Sequence, residues 1–228
     1  MIHCTQGNSP NFGPRKGGGP IDLIVLHYTA MPTTQQALER LCDPQHQVSA
    51  HYLISRQGQI WRLVDEQHRA WHAGAGAWGG VTDVNSRSIG IELANTGTQP
   101  FSEPQMAFLE RLLADISVRH AIRPERIIGH SDMAPDRKAD PGKRFDWRRL
   151  AKQGLSVWPD AISADVDIAK FKDSLLAFGY PDVPLEYLIA AFRLRFRPFA
   201  SGPLDRQDMG MALDLAVRFS VDPARGST

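Results

Sequence analysis

The chain has 228 residues, enough for one medium domain and a second small one. Its 26 basic and 25 acidic residues leave a formal net charge of +1. That balance gives no electrostatic basis for binding nucleic acid or an anionic membrane surface. The sequence also contains no apolar run long enough to span a bilayer.

The N-terminal segment is rich in Gly, Pro, Asn and Ser, which predicts an irregular lead-in over residues 1–20. Residues 1–4 show neither the cationic region nor the apolar core of a secretory signal, so we expect a cytoplasmic location. A wrongly assigned start codon would make a periplasmic or outer-membrane location the alternative. Cys4 and Cys42 lack metal-ligand spacing and are expected to be free thiols.

An apolar, β-branched run within residues 21–29 predicts a strand that is buried on both faces and ends near His27. The carboxyl end of such a strand is where open sheets place ligands. Thr33 or Thr34 can cap a short helix after it. Residues 48–54 and 59–64 then predict a β-hairpin.

The middle of the chain combines a long loop, a strand and a helix. The loop over residues 66–87 contains Trp71 and His72, and long loops in compact domains are often functional. The next strand ends near Glu92, whose carboxylate is costly to bury unless it has a task. Ser102 and Gln105 resemble a capping box that starts a helix. Mixed strands and helices predict an α/β domain.

The loop over residues 129–142 follows a short apolar strand and carries side chains suited to a metal centre. Lys138 and Asp140 project to the same side if this part of the loop is extended, because side chains alternate along a strand. We hypothesise that His130 and Asp140 bind zinc, with Lys138 just outside the ligand shell. A catalytic zinc usually has three protein ligands. The three candidates are His27, His130 and Asp140.

Beyond residue 160 the pattern changes to apolar stripes at helical spacing, separated by Gly and Pro. The stripes predict a three-helix unit within residues 163–228, too small to be very stable alone. Its apolar positions are Phe171, Leu175, Phe178, Leu185, Leu188, Ile189, Phe192, Phe196, Leu213 and Val217. One interpretation is a helical appendage that only braces the main domain.

Five segments, in this order, resemble the zinc-dependent N-acetylmuramoyl-L-alanine amidases with the peptidoglycan-recognition-protein fold, and within them the AmpD/AmiD-like branch. The segments are His27-Tyr28-Thr29, residues 49–54, Trp71-His72-Ala73-Gly74, residues 88–93 and residues 130–142. The resemblance implies a central mixed β-sheet flanked by helices, in an amidase domain over residues 21–162. The small C-terminal three-helix domain is similar to peptidoglycan-binding-like modules of cell-wall hydrolases.

The resemblance also implies a reaction: zinc-dependent hydrolysis of the amide bond between N-acetylmuramic or anhydro-N-acetylmuramic acid and L-alanine. The substrates would be peptidoglycan or muropeptides, with a role in cell-wall recycling. Glu92 would act as general base and then acid, and Lys138 would stabilise the oxyanion. Tyr28, Trp71 and His72 would line the substrate groove.

Other interpretations remain open from the sequence. A lone histidine at a strand end is more often structural than a ligand, and Lys138 alone resembles a solvated surface charge. A module of the same fold could recognise muropeptides without cutting them, but such modules typically lack metal ligands that are present here. A phage-type endolysin would also join an amidase to a wall-binding module.

Overall fold

The computed structural model describes residues 4–160 and 162–221. The strands are β1 (Thr5–Gln6), β2 (Phe12–Pro14), β3 (Leu23–Tyr28), β4 (Tyr52–Ile54), β5 (Ile60–Arg62), β6 (His68–Ala70), β7 (Ser88–Leu93) and β8 (Ile127–Gly129). The helices are α1 (Thr34–Cys42), α2 (Val84–Arg87), α3 (Glu103–His120), α4 (His130–Met133), α5 (Trp147–Lys152), α6 (Ile168–Phe178), α7 (Leu185–Phe196) and α8 (Arg206–Arg218). Short 3-10 turns cover Pro44–His46 and Pro124–Arg126.

A six-stranded sheet in the order β1-β5-β4-β7-β3-β8 forms the centre of the molecule. Strand β4 runs antiparallel to β5, and the other neighbouring pairs run parallel. The predicted central mixed sheet flanked by helices is therefore confirmed. The hairpin predicted within residues 48–64 is the β4–β5 pair.

Alternation along β3 divides the core between the two faces of the sheet. Ile24 and Leu26 pack with α3 in one hydrophobic cluster. Leu23 and Val25 belong to a second cluster, with the helices of the C-terminal unit. Both faces of this strand are fully buried, as its continuous apolar run predicts.

The two predicted helix starts differ in outcome. Thr33 caps α1, because its side chain accepts a hydrogen bond from the amide of Gln36. Helix α3 is present, and its Leu109, Leu112, Leu113 and Ile116 are buried, but the capping box at Ser102 is wrong. Ser102 Oγ donates to the carbonyl of Arg56, and Gln105 Nε2 donates to the carbonyl of Ile54. These two side chains tie the helix to the hairpin instead of capping it.

The N-terminal segment is more ordered than its composition predicts, so an irregular lead-in over residues 1–20 is a wrong expectation for part of it. Strand β1 pairs in parallel with β5 and forms one edge of the main sheet, and β2 pairs with β6 in a separate ribbon. Arg15 then donates to the carbonyls of Glu66 and Ser88 and contacts His51. Strands of two and three residues carry too little periodicity to be recognised from sequence.

The three predicted C-terminal helices are α6, α7 and α8. Phe171, Phe178 and Phe192 are fully buried, whereas Val217 is exposed and lies outside the core. These helices do not close a core of their own, since they share one cluster with the sheet and with Trp78. Residues 222–228 of the predicted unit lie outside the described residues. Within the described ranges, no helix is both long and apolar enough to cross a membrane.

Trp78, from the loop between β6 and β7, joins the C-terminal helices to the rest of the core. Its side chain is fully buried and makes edge contacts with the rings of Phe178 and Tyr180. Gly179 ends α6 at φ +133°, and a Cβ there would lie 2.6 Å from the Trp78 ring. A glycine is required at this position because both the backbone angle and the close approach exclude a side chain.

Candidate active site

Three parallel neighbours bring polar side chains to one edge of the sheet. Strands β7, β3 and β8 lie side by side, with their carboxyl ends together. His27 of β3 lies opposite Glu92 of β7, and His130 immediately follows β8. Because side chains alternate along β7, Glu92 lies on the same face of the sheet as Gly90 and Ser88. Ile89 and Ile91 point to the other face and pack against α3.

Side-chain atoms of His27, His130 and Asp140 converge at this edge. The Nδ1 atom of His27 lies 3.0 Å from Nδ1 of His130 and 2.9 Å from Oδ2 of Asp140. Nδ1 of His130 lies 3.1 Å from the same carboxylate oxygen. The peptide bond that follows Asp140 is cis. The three side chains form a group that could hold a metal ion.

A chain of hydrogen bonds behind His27 determines which of its nitrogens is free. Ser88 Oγ donates to the carbonyl of Val84, so its oxygen must accept from Nε2 of His72, at 3.2 Å. Nδ1 of His72 is then an acceptor, and it lies 3.0 Å from Nε2 of His27. Nε2 of His27 therefore carries the hydrogen, and its Nδ1 presents a lone pair to the cluster.

The same reasoning applies to His130, whose Nε2 donates to the carbonyl of Ala73 at 2.8 Å. Its Nδ1 also presents a lone pair. Burial, and then the neighbouring His130, lower the pKa of His27 to about 4, which keeps this ligand candidate neutral at pH 7. Two imidazole lone pairs and a carboxylate aimed at one another repel unless a cation lies between them, and this donor set fits zinc.

Glu92 lies beside the cluster in a setting that disfavours its charge. Burial, and then the neighbouring Asp140, raise the pKa of its carboxyl to about 8. Its Oε2 atom is buried and has no hydrogen-bond partner among the described residues. A buried carboxyl oxygen without a partner is costly. This carboxyl is thus ready to exchange a proton with a molecule bound in front of it.

A groove of about 480 Å³ opens in front of these residues. Lys138 is exposed and lines it together with Tyr28 and Trp71. Lys138 lies in irregular backbone and borders the same groove as Asp140. The groove thus places a cation and two aromatic side chains around the histidine cluster.

The predicted site residues lie together around the groove, and His72 also has polar contacts away from it. It borders the groove, yet its polar contacts are with His27 and Ser88 behind the cluster. A Cβ at Gly90 would lie 2.4 Å from Cγ of His72, so the strand needs glycine beneath this ring. The geometry therefore indicates a supporting position for His72, rather than one defined by substrate alone.

The role of Arg137 was not recognised from sequence. The carbonyl of Ala73 accepts from His130 and also from Arg137 Nη2, so Arg137 fixes the segment that orients the ligand. Asp132 accepts from the amide of Gly129 at the start of α4. A backbone carbonyl leaves no signal in sequence, because every residue has one.

The carboxyl of Glu92 predicts a distinct pH dependence of stability in the metal-free protein. Its pKa of about 8 in the folded chain exceeds its ordinary value of 4.5. The stability it contributes is fully present below the unfolded pKa and is lost as the pH rises through the folded one. With a chelator present, the wild type should therefore lose stability relative to Glu92→Gln as the pH rises from about 5 to 8. The measurement is the unfolding free energy of both proteins across this pH range. A difference that does not vary with pH would contradict this environment for Glu92.

Comparisons with known proteins show which family the chain resembles. Residues 17–143 match the family model described as Amidase_2, N-acetylmuramoyl-L-alanine amidase. N-acetylmuramoyl-L-alanine amidase AmiD of Escherichia coli (strain K12) is 39% identical, over 89% of this chain and 84% of the relative. 1,6-anhydro-N-acetylmuramyl-L-alanine amidase AmpD of Haemophilus influenzae is 38% identical, over 65% of this chain and 91% of the relative.

A solved structure extends the likeness to three dimensions. It is the E. coli AmiD complex with the substrate anhydro-N-acetylmuramic acid-L-Ala-D-gamma-Glu-L-Lys. It superposes with a TM-score of 0.82 at 37% identity, covering 91% of this chain and 93% of that one. A family model thus matches more than half of the chain, and a relative matches over most of both lengths. The chain belongs to the N-acetylmuramoyl-L-alanine amidase family of enzymes.

Proposed function

We propose that this chain hydrolyses the amide bond between anhydro-N-acetylmuramic or N-acetylmuramic acid and L-alanine in soluble peptidoglycan fragments, with zinc as its cofactor. The observation that carries the proposal is the convergence of three ligand-type atoms beside a carboxyl whose buried oxygen has no hydrogen-bond partner in the described part of the chain. A binding module would gain nothing from a proton-exchanging carboxyl beside a metal centre. The arrangement therefore favours hydrolysis over recognition alone.

His27, His130 and Asp140 would hold the metal through Nδ1, Nδ1 and a carboxylate oxygen. Zinc bound there would supply an acidified water and polarise the amide carbonyl. Glu92 would accept a proton from the attacking water and later donate it to the leaving amine. Its raised pKa suits the second role, and a nearby cation would lower that pKa enough for the first. Lys138 would stabilise the negative charge that develops on the carbonyl oxygen.

The substrate class follows from the groove and from the relatives. The groove is open and polar at the cluster and bordered by Tyr28 and Trp71, which suits a sugar joined to a short peptide. The AmiD structure contains an anhydromuramyl tripeptide, and the H. influenzae relative is named for the anhydro sugar. Anhydromuropeptides are turnover products of the wall, so we place the reaction in recycling. The cytoplasmic location stays a prediction that cell fractionation would test.

We further propose that His72 positions the metal ligand His27, in addition to bordering the groove. Its Nδ1 accepts the hydrogen of His27 Nε2, and Ser88 fixes the ring from the other side. Partners of this kind orient ligating histidines and raise their basicity.

The roles of Glu92 and Lys138 predict a separation of chemistry from metal binding. Glu92→Gln should lower kcat on an anhydromuramyl tripeptide by about 100- to 10,000-fold, as expected when a general base is lost. Lys138→Ala should lower it by about 100- to 1,000-fold, as for one oxyanion donor. Both variants should retain about one zinc per chain by elemental analysis, because neither residue is among the proposed ligands.

Lys143→Ala is the matched control, because Lys143 is an exposed lysine immediately after this loop and does not line the groove. It should keep normal turnover. Normal kcat in Glu92→Gln would show that another group is the base, and activity in a verified metal-free preparation would contradict the zinc mechanism.

The supporting role of His72 predicts a loss of metal affinity. His72→Ala should weaken the Kd for zinc by about 10- to 100-fold in a chelator competition, since the hydrogen of His27 loses its acceptor. Trp71→Ala, at the neighbouring groove position, should raise KM and leave the Kd for zinc unchanged. If His72→Ala has an unchanged Kd for zinc and a raised KM, His72 acts only in substrate binding.

A further inference from the structure

The helical turn that carries His130 depends on one buried carboxylate, that of Asp132. Its Oδ2 atom accepts from the amide of Gly129, the last residue of β8, at 2.8 Å. The side chain is fully buried in the described structure. Asp132 thus closes the junction between strand and turn from which His130 projects, two residues away.

The partners that compensate this carboxylate come from the other end of the chain. Arg195 of α7 donates from Nη1 to Oδ2 of Asp132 at 2.8 Å, and both side chains are 1% exposed. Tyr180, just after α6, donates its hydroxyl to Oδ1 at 2.6 Å. Both partners belong to the C-terminal three-helix unit.

Arg195 holds the junction at more than one point. Its Nη2 donates to the carbonyl of Ile127, in β8, and to Oγ of Ser156, each at 3.1 Å. Its guanidinium lies 4.4 Å from the ring centroid of Trp147. One side chain of α7 therefore contacts the strand before His130 and the carboxylate after it.

The energetics favour a positional role for this pair. A buried ion pair seldom adds stability over an apolar core, whereas removing one partner leaves a costly buried charge. Arg195 Nε has no acceptor among the described residues, which makes the pair a poor source of stability. Its geometric effect is specific, since it defines where the turn that carries His130 lies.

The same helical unit also forms a hydrogen bond with the loop between β6 and α2, behind the site. The amide of Gly79 donates to the carbonyl of Gly179, at the end of α6. Two residues earlier, the amide of Ala77 donates to the carbonyl of Met133, in α4. This loop also carries Ala73, whose carbonyl orients His130.

We infer that the C-terminal helical unit is part of the scaffold of the metal site, and that Arg195, with Tyr180, positions His130 through Asp132. The inference rests on the proposed zinc site. It goes beyond the resemblance to wall-binding modules, because the unit would be required for reaction on small soluble substrates too. The sequence left open whether the unit braces the main domain or resembles a wall-binding module. The inference assigns it a bracing role that acts on one metal ligand, His130.

The test compares two buried arginines of α7. Arg195→Met should fold, by circular dichroism, and should bind zinc about 10- to 100-fold more weakly in chelator competition, as when the support of a ligand is lost. Arg195→Lys should recover part of the affinity. Arg193→Met is the matched control, because Arg193 forms a similarly buried pair with Asp208, and this pair does not contact the loop over residues 129–142. It should lose stability and keep the wild-type Kd.

Tyr180→Phe tests the same carboxylate with a smaller change, in case Arg195→Met does not fold. It should weaken zinc binding by several-fold, whereas Tyr187→Phe, at an exposed position of α7, should not. The absorption spectrum of bound Co²⁺ should also shift in Tyr180→Phe if the ligand geometry changes. A wild-type Kd and an unchanged spectrum in the Arg195 or Tyr180 variants would overturn the inference and leave the zinc site intact. A wild-type protein that binds no zinc would overturn both.

Discussion

The parallel register of β7, β3 and β8 is the constraint on which the site depends. Residue pairing across β3 and β7 sets His27 opposite Glu92, and the pairing of β3 with β8 ends one residue before His130. Three short segments distant in sequence therefore deliver their polar side chains to one sheet edge. The apolar remainder of each strand is buried and supplies the hydrophobic free energy that holds this register.

The cluster concentrates polar groups whose burial is unfavourable in isolation. His27 and His130 face each other through lone pairs, and an oxygen of Glu92 has no hydrogen-bond partner within residues 4–160 and 162–221. Such an arrangement costs stability unless a cation and a bound molecule complete it. The surrounding hydrogen bonds, from His72 and from the carbonyl of Ala73, prevent the imidazoles from rotating away. The structure thus maintains a site that is costly when empty and favourable when filled.

Much of the fold and the main cluster could be predicted from the sequence, because they arise from local patterns. Apolar periodicity indicates β3, α3 and the C-terminal helices, and the resemblance of five ordered segments indicates which polar side chains are the metal-ligand candidates. The partners of Asp132 and His72 could not be predicted. Arg195 lies 63 residues from Asp132 along the chain, and only the packed fold brings the two together. Strand β1 was missed because two residues carry no periodicity and gain their order from pairing with β5.

The sheet and the C-terminal helices share one hydrophobic core. The helices cover the sheet face on which His27 lies, at the carboxyl end of β3.

The most direct measurement of the central claim is anomalous diffraction at the zinc edge from crystals of the zinc-loaded protein. The account predicts one strong peak bonded to His27 Nδ1, His130 Nδ1 and a carboxylate oxygen of Asp140. A peak bonded to other residues, or no peak in protein loaded at saturating zinc, would contradict it.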